Sequence, residues 1–164
     1  MPKNCLWSDR RPAARADALP LEEIDFLRGL SVDEIKQLSR TFKLHEFERG
    51  DIVCREGDAG DRMWLIVKGS VSVRLSIEGK TQTRRIAGLG RGTTVGEMAL
   101  VESVPRSATI VADEATTCYE LARETFDVML KEQPALATKL LGNLAREMAR
   151  RLRQTSQDLR FASN

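Results

Sequence analysis

The residues in this chain whose types and spacing could do chemistry lie between 95 and 109, Val-Gly-Glu-Met-Ala-Leu-Val-Glu-Ser-Val-Pro-Arg-Ser-Ala-Thr. Gly96 opens a short helical turn and Glu97 follows it directly. Arg106 and Ser107 come after Pro105 and lead into a β-branched strand. A helix N-terminus offers free N–H groups and a partial positive charge. An arginine adds a rigid fork of donors that fits phosphate oxygens. A carboxylate accepts from sugar hydroxyls but repels a bare phosphate. Glu97 and Arg106 together therefore suit a sugar phosphate better than an inorganic anion. The bland alternative is a structural ion pair between the two that closes a loop, since perturbed charges also occur in purely structural networks.

Other chemistries find less support. A serine nucleophile needs a base within hydrogen-bond reach, and the one histidine, His45, lies far from Ser107 in sequence. Catalysis is therefore not expected. One histidine also excludes a His-rich metal centre, and no metal is expected. Cys5, Cys54 and Cys118 are odd in number and scattered, so they read as free thiols of a reducing compartment. No apolar run reaches membrane-spanning length, and Arg10, Arg11 and Arg15 precede no apolar signal segment. The expected location is cytoplasmic.

The elements that must hold the motif can be read from periodicity. The 164 residues suit one domain with extensions. Residues 1–20 lack apolar periodicity and read as a flexible leader; residues 21–164 read as the domain. Leu21–Leu30 reads as a short amphipathic helix. Ser31-Val32-Asp33-Glu34 fits a capping box, with Ile35, Leu38 and Phe42 on one face of the helix it starts. Between about 43 and 121 the pattern becomes many short strands. Met63–Val67 is a compact apolar run, and Val71, Val73, Leu75 and Ile77 alternate with polar residues. Glu78-Gly79-Lys80 reads as a hairpin turn. Thr81–Ala87, Ser107–Ala112 and Thr116–Leu121 are further strands. Such spacing points to an antiparallel roll or barrel. From about 123 to 160 the chain is helical. Glu124–Glu132 is expected to bury Phe126, Val128, Met129 and Leu130. Pro134 suits the first position of a long helix, whose stripe is Leu140, Leu144, Met148 and Leu152, flanked by Leu136, Leu141 and Leu159.

Charge is uneven along the chain. Residues 1–20 carry 4 basic and 2 acidic residues, 21–133 carry 16 and 20, and 134–164 carry 6 and 2. Arg146, Arg150, Arg151 and Arg153 concentrate the last excess. The ordinary reading is a solvated helix face; nucleic-acid binding is the alternative, and its sign would be steep salt dependence.

With these markers in order, residues 21–160 resemble the cyclic-nucleotide-binding domain family. Phe26-Leu27-Arg28-Gly29-Leu30-Ser31 is similar to its entry helix. Gly50-Asp51, Glu56-Gly57-Asp58 and Val67-Lys68-Gly69-Ser70-Val71 resemble the glycines that turn its roll. Gly96–Leu100 with Pro105–Thr109 resembles its phosphate-binding cassette. The resemblance implies an α+β fold: an antiparallel β-roll (a jelly-roll-like double-stranded β-helix) with N-terminal helices, a short cassette helix and two C-terminal helices. It also implies that Glu97 takes the ribose 2′-hydroxyl and that Arg106 with Ser107 takes the cyclic phosphate. Gly96, Met98, Ala99 and Ala108 would line the cassette, and Ile86, Ala87 and Val95 the base pocket. In the family a threonine beside the arginine can favour guanine; Ser107 leans toward cAMP, with cGMP as the other candidate. Thr94-Val95 departs from the aromatic-rich approach to the cassette glycine, and Ala122 stands where an acidic helix cap is frequent. The long last helix corresponds to one that closes over the base or pairs between subunits, which would make a homodimer. Family transcription factors continue into a helix-turn-helix, for which the residues up to Asn164 leave no room. The expected function is a cAMP-binding regulatory or sensor module acting on an unknown effector protein or domain. The alternatives are a ligand-free interaction module of the same fold and a DNA-associated protein.

Overall fold

A computed structural model describes residues 24–77 and 81–162 of the chain. The leader, Cys5 and the Glu78-Gly79-Lys80 turn lie outside the described residues. Among the described residues, eight strands form two antiparallel four-stranded sheets. One has the order β1 (Lys43–Phe47), β8 (Thr116–Ala122), β3 (Arg62–Lys68), β6 (Thr94–Val95). The other has β2 (Ile52–Cys54), β7 (Thr109–Ala112), β4 (Ser70–Ser76), β5 (Thr83–Gly90). Helices α1 (Val32–Ser39), α3 (Arg123–Glu132) and α4 (Pro134–Ala162) flank the roll, and α2 (Met98–Val101) sits between β6 and β7. The expected α+β roll with helices at both ends is what the chain forms.

β3 explains how two cores share one strand. Side chains alternate across a strand. Met63, Leu65 and Val67 join the core under the helices, with Phe26, Leu38, Leu121, Phe126, Leu140 and Leu144. Trp64 and Ile66 point the other way, into the roll interior with Val71, Val95, Ile110 and Cys118. Burial on both faces is why this strand reads as an unbroken apolar run. β4 is less regular than its alternation suggests. Val71 and Ser72 are both fully buried while Leu75 is exposed; β4 lies between β7 and β5 in its sheet. Gly69 turns β3 into β4 at φ +81; a Cβ there would sit 2.5 Å from the Ala115 carbonyl oxygen, so only glycine fits.

The helices match the expected pattern less closely. Asp25–Leu27 is a single 3-10 turn, not a helix running to Leu30. Three residues cannot repay the ordering of a longer segment, so docking fixes them instead: Asn143 Nδ2 donates to the Phe26 and Arg28 carbonyls at 2.9 and 2.8 Å. The capping box on α1 is formed, with Ser31 Oγ accepting from the Glu34 N–H at 3.2 Å and Glu34 Oε2 accepting from the Ser31 N–H at 2.7 Å. α1 ends at Ser39, so Phe42 follows it and stacks on Tyr119 with ring centroids 5.4 Å apart. In α3 only Phe126 and Met129 are buried; Val128 is 47% exposed and Leu130 lies at the solvent edge. A helix packed on one side buries a narrow stripe. α4 starts at Pro134 as expected. Its stripe holds as far as Met148: Leu136, Leu140 and Leu144 are buried, and Leu141 and Met148 pack half-buried against the same core, whereas Leu152 and Leu159 are 68% and 63% exposed.

Asn143 is buried and joins α4 to the 3-10 turn. Asn143→Leu is expected to lower unfolding free energy by about 1–3 kcal/mol, because it leaves two carbonyls without donors; urea denaturation measures this.

Candidate functional site

The cassette meets the roll interior at a cavity floored by Cys54, Val73, Leu89 and Ile110. Val95, Gly96, Glu97, Met98, Ala99, Arg106, Ser107 and Ala108 all line it. Eight of the ten residues singled out from the sequence are thus brought to one place. Ile86 and Ala87 are not among them. Both are exposed on β5, and the residue that this strand sends to the cavity is Leu89. Sequence spacing could not set the phase of β5, because its pairing with β4 slips by one residue.

Arg106 is held from several sides. Its backbone is tied to the 57–58 loop: its N–H donates to the Asp58 carbonyl, and its carbonyl accepts from the Gly57 N–H, both at 2.8 Å. Its side chain is only 6% exposed. Nη1 donates to the Gly96 carbonyl at 3.2 Å and Nη2 to the Arg62 carbonyl at 2.7 Å. The guanidinium carbon lies 4.9 Å from the centre of the Trp64 ring, within cation–π range. The nearest carboxylate in an ion pair with it, Asp61, is 3.9 Å away. A buried cation with neutral acceptors and one distant carboxylate is not fully compensated. It faces a cavity in which an anion would complete its set of partners.

Gly96 makes this approach geometrically feasible. It has φ +70, and a Cβ there would meet Arg106 Nη1 at 2.6 Å and Trp64 Cζ3 at 3.2 Å. Glu97 precedes the single turn of α2 but makes no side-chain cap. It turns instead toward α4, where Arg151 Nη1 donates to its Oε1 at 3.1 Å. The structural ion pair weighed between Glu97 and Arg106 is therefore absent; Glu97 pairs with Arg151. The same arginine also bonds the Thr94 carbonyl and Glu147. Glu147, itself buried, accepts from the Thr94 N–H and hydroxyl at 3.0 Å each. α4 is thus bolted to β6, one residue before the cassette strand ends.

Of the four clustered arginines, Arg151 reaches the cavity. Arg150 pairs with Asp25 at 2.6 Å and Arg146 donates to Asn143. The signal for Arg151 was the Glu147–Arg151 spacing of one helical turn, but choosing among four arginines needs the helix phase. Asp61 and Trp64 were also missed, the latter because it sits inside an apolar run.

Beyond the cavity, Glu120 is 2% exposed. Burial pushes its carboxyl up, but His45 and Arg62 outweigh that and hold it below its usual value. Hydrogen bonding to Arg62 likewise holds Asp61 low, against the effect of burial. Both carboxylates then stabilise the fold above the ordinary carboxylate range, and that stability fades as pH falls through it. Burial pushes the Cys54 thiol up despite the opposing charge of Arg106, and Cys118 up to about 12.

A family model described as the cyclic nucleotide-binding domain matches residues 44–133. The chain belongs to the cyclic nucleotide-binding domain family. The match covers the roll, the cassette and α3. Human cGMP-dependent protein kinase 2 is 33% identical over 108 residues, 65% of this chain and 14% of that protein. The cyclic AMP receptor protein of Thermus thermophilus is 33% identical over 136 residues, 82% of this chain and 60% of that protein. A crystal structure of a cyclic nucleotide-binding domain from Methylobacillus flagellatus KT superposes with a TM-score of 0.76 at 29% identity, covering 84% of this chain and 77% of that one. The chain therefore spans a minor part of the kinase and somewhat over half of the receptor protein. No helix of the described residues is long and apolar enough to cross a membrane.

Gly96→Ala is expected to destabilise the domain by about 1–3 kcal/mol through the left-handed backbone alone. It should also displace the Arg106 guanidinium. Urea denaturation gives the first effect and a structure of the variant the second.

Proposed function

We propose that this domain binds a cyclic nucleoside monophosphate in the cavity between the cassette and the roll, with cAMP favoured over cGMP, and reports it through α4. The supporting observation is Arg106: a nearly buried guanidinium facing the cavity with no carboxylate in close contact. The cyclic phosphate, a monoanion with two free oxygens, suits its unused donors, and Ser107 adds a hydroxyl beside it. Glu97 suits the ribose hydroxyl, since a carboxylate with two oxygens can accept from it while keeping Arg151. The apolar floor suits the base. Named relatives include both a cGMP-dependent kinase and a cyclic AMP receptor protein, so the preference for adenine leans on Ser107 alone.

The output follows from the bonds between Glu97, Arg151, Glu147 and Thr94. A ligand that engages Glu97 changes the balance of a carboxylate held by α4, and so favours one placement of α4 over another by its difference in affinity for the two. No catalytic step is proposed. The one histidine, His45, is not beside Ser107 but on β1, with its Nε2 2.9 Å from Glu120.

Titration calorimetry tests the site. Arg106→Ala and Glu97→Ala are each expected to weaken cAMP binding at least tenfold, about 1.4 kcal/mol. Unchanged affinity in both variants rules the assignment out, and competition between cAMP and cGMP ranks the two ligands.

A second copy of the chain is the partner we propose for α4. Leu141, Ala145, Met148, Leu152, Thr155 and Leu159 recur at alternating spacings of four and three, the seam of a coiled coil; Leu141 and Met148 also pack partly on the domain's own core, so the exposed part of the seam starts from Ala145 and runs on from Leu152. Residues 152–160 are exposed among the described residues. Light scattering after size exclusion should give a dimer, and Leu152→Glu a monomer; a monomeric wild type removes the proposal.

A further inference from the structure

Asp61 is the carboxylate that could neutralise Arg106, yet it stays 3.9 Å away. Both of its oxygens are taken by the next residue. Arg62 Nε donates to Oδ1 and Nη2 to Oδ2, each at 2.8 Å, the two-pronged geometry in which a guanidinium best satisfies a carboxylate. Arg62 is in turn drawn toward the roll interior. Its Nη1 lies 3.3 Å from both oxygens of the buried Glu120. A chain of paired side chains therefore runs from His45 to Arg106, alternating in charge from Glu120 through Arg62 and Asp61.

We propose that Arg62 is a positioning residue that keeps Arg106 available to an anionic ligand by occupying Asp61. This rests on the reading of the cavity as an anion site. Without Arg62, Asp61 would be a carboxylate beside a buried guanidinium with spare donors. Coulombic attraction at short range and low effective dielectric would draw the two together. A ligand phosphate would then have to displace a resident carboxylate. Glu120 anchors the far end of Arg62, so that the fork stays turned to Asp61. Lysine could not replace it, because an ammonium cannot hold both oxygens of Asp61 and still reach Glu120 in one plane.

The test is a double-mutant cycle. Arg62→Gln is expected to weaken cAMP binding at least tenfold, measured by calorimetry, with folding checked by circular dichroism. Adding Asp61→Asn to that variant should restore affinity to within about threefold of the wild type, since the competing charge is gone. The unliganded Arg62→Gln protein, crystallised, should show Asp61 in direct contact with Arg106. Wild-type affinity in Arg62→Gln overturns the proposal, and so does a loss that Asp61→Asn leaves unrepaired, which would mark Arg62 as merely structural. If the wild type binds neither cAMP nor cGMP, the reading of the cavity fails instead. In that case the crystal structure decides: contact between Asp61 and Arg106 upholds the role of Arg62, and an unchanged separation removes it.

Discussion

A guanidinium cannot be dehydrated cheaply, and most of this domain's unusual features are ways of living with the one on Arg106. Backbone carbonyls from Gly96 and Arg62 accept its protons and the face of Trp64 lies beneath it. Each of these needs a special placement. The Gly96 carbonyl is near enough only because that residue has no side chain. The Trp64 ring is in place only because β3 turns alternate residues into the roll. The loop at 57–58 fixes the arginine's own backbone. Together they stabilise the charge partly, and leave its remaining donors toward the cavity.

β3 carries a second burden. It begins at the Asp61-Arg62 pair, passes beneath the cassette, and supplies side chains to both cores. The helical layer and the roll are therefore packed against opposite faces of one strand. α4 adds a separate link through Glu147 and Arg151 to Thr94. The cavity thus has a charged connection to the longest helix and an apolar one to the body. The two differ in kind: apolar packing is insensitive to a single new hydrogen bond, whereas a carboxylate shared between a helix and a ligand responds to it.

Much of this was legible in the residues. The capping box at Ser31 and Glu34 is a local device, so its sequence signature carried over intact. The apolar run at 63–67 and the glycine turns placed the roll, and Gly96, Glu97, Arg106 and Ser107 gathered as their order implied. What failed needed three-dimensional context. Ile86 and Ala87 went astray because a slip between β4 and β5 moves side chains to the other face. Leu152 continued a stripe on paper, yet it is exposed while Met148, one turn earlier, still packs on the core. Arg151 could not be told from its neighbours without the phase of α4. Asp61 and Arg62 look like an ordinary polar loop entering a strand, and their part becomes visible only with Glu120, 58 residues further on, beside them.

Thr94 gives its amide proton to a side chain on α4, not to a neighbouring strand. Amide exchange normally reports the opening of whatever the N–H is bonded to. For most strand residues that is the sheet itself. For this one it is the seating of a helix, so a single backbone proton acts as a clock for how often α4 lifts from the roll.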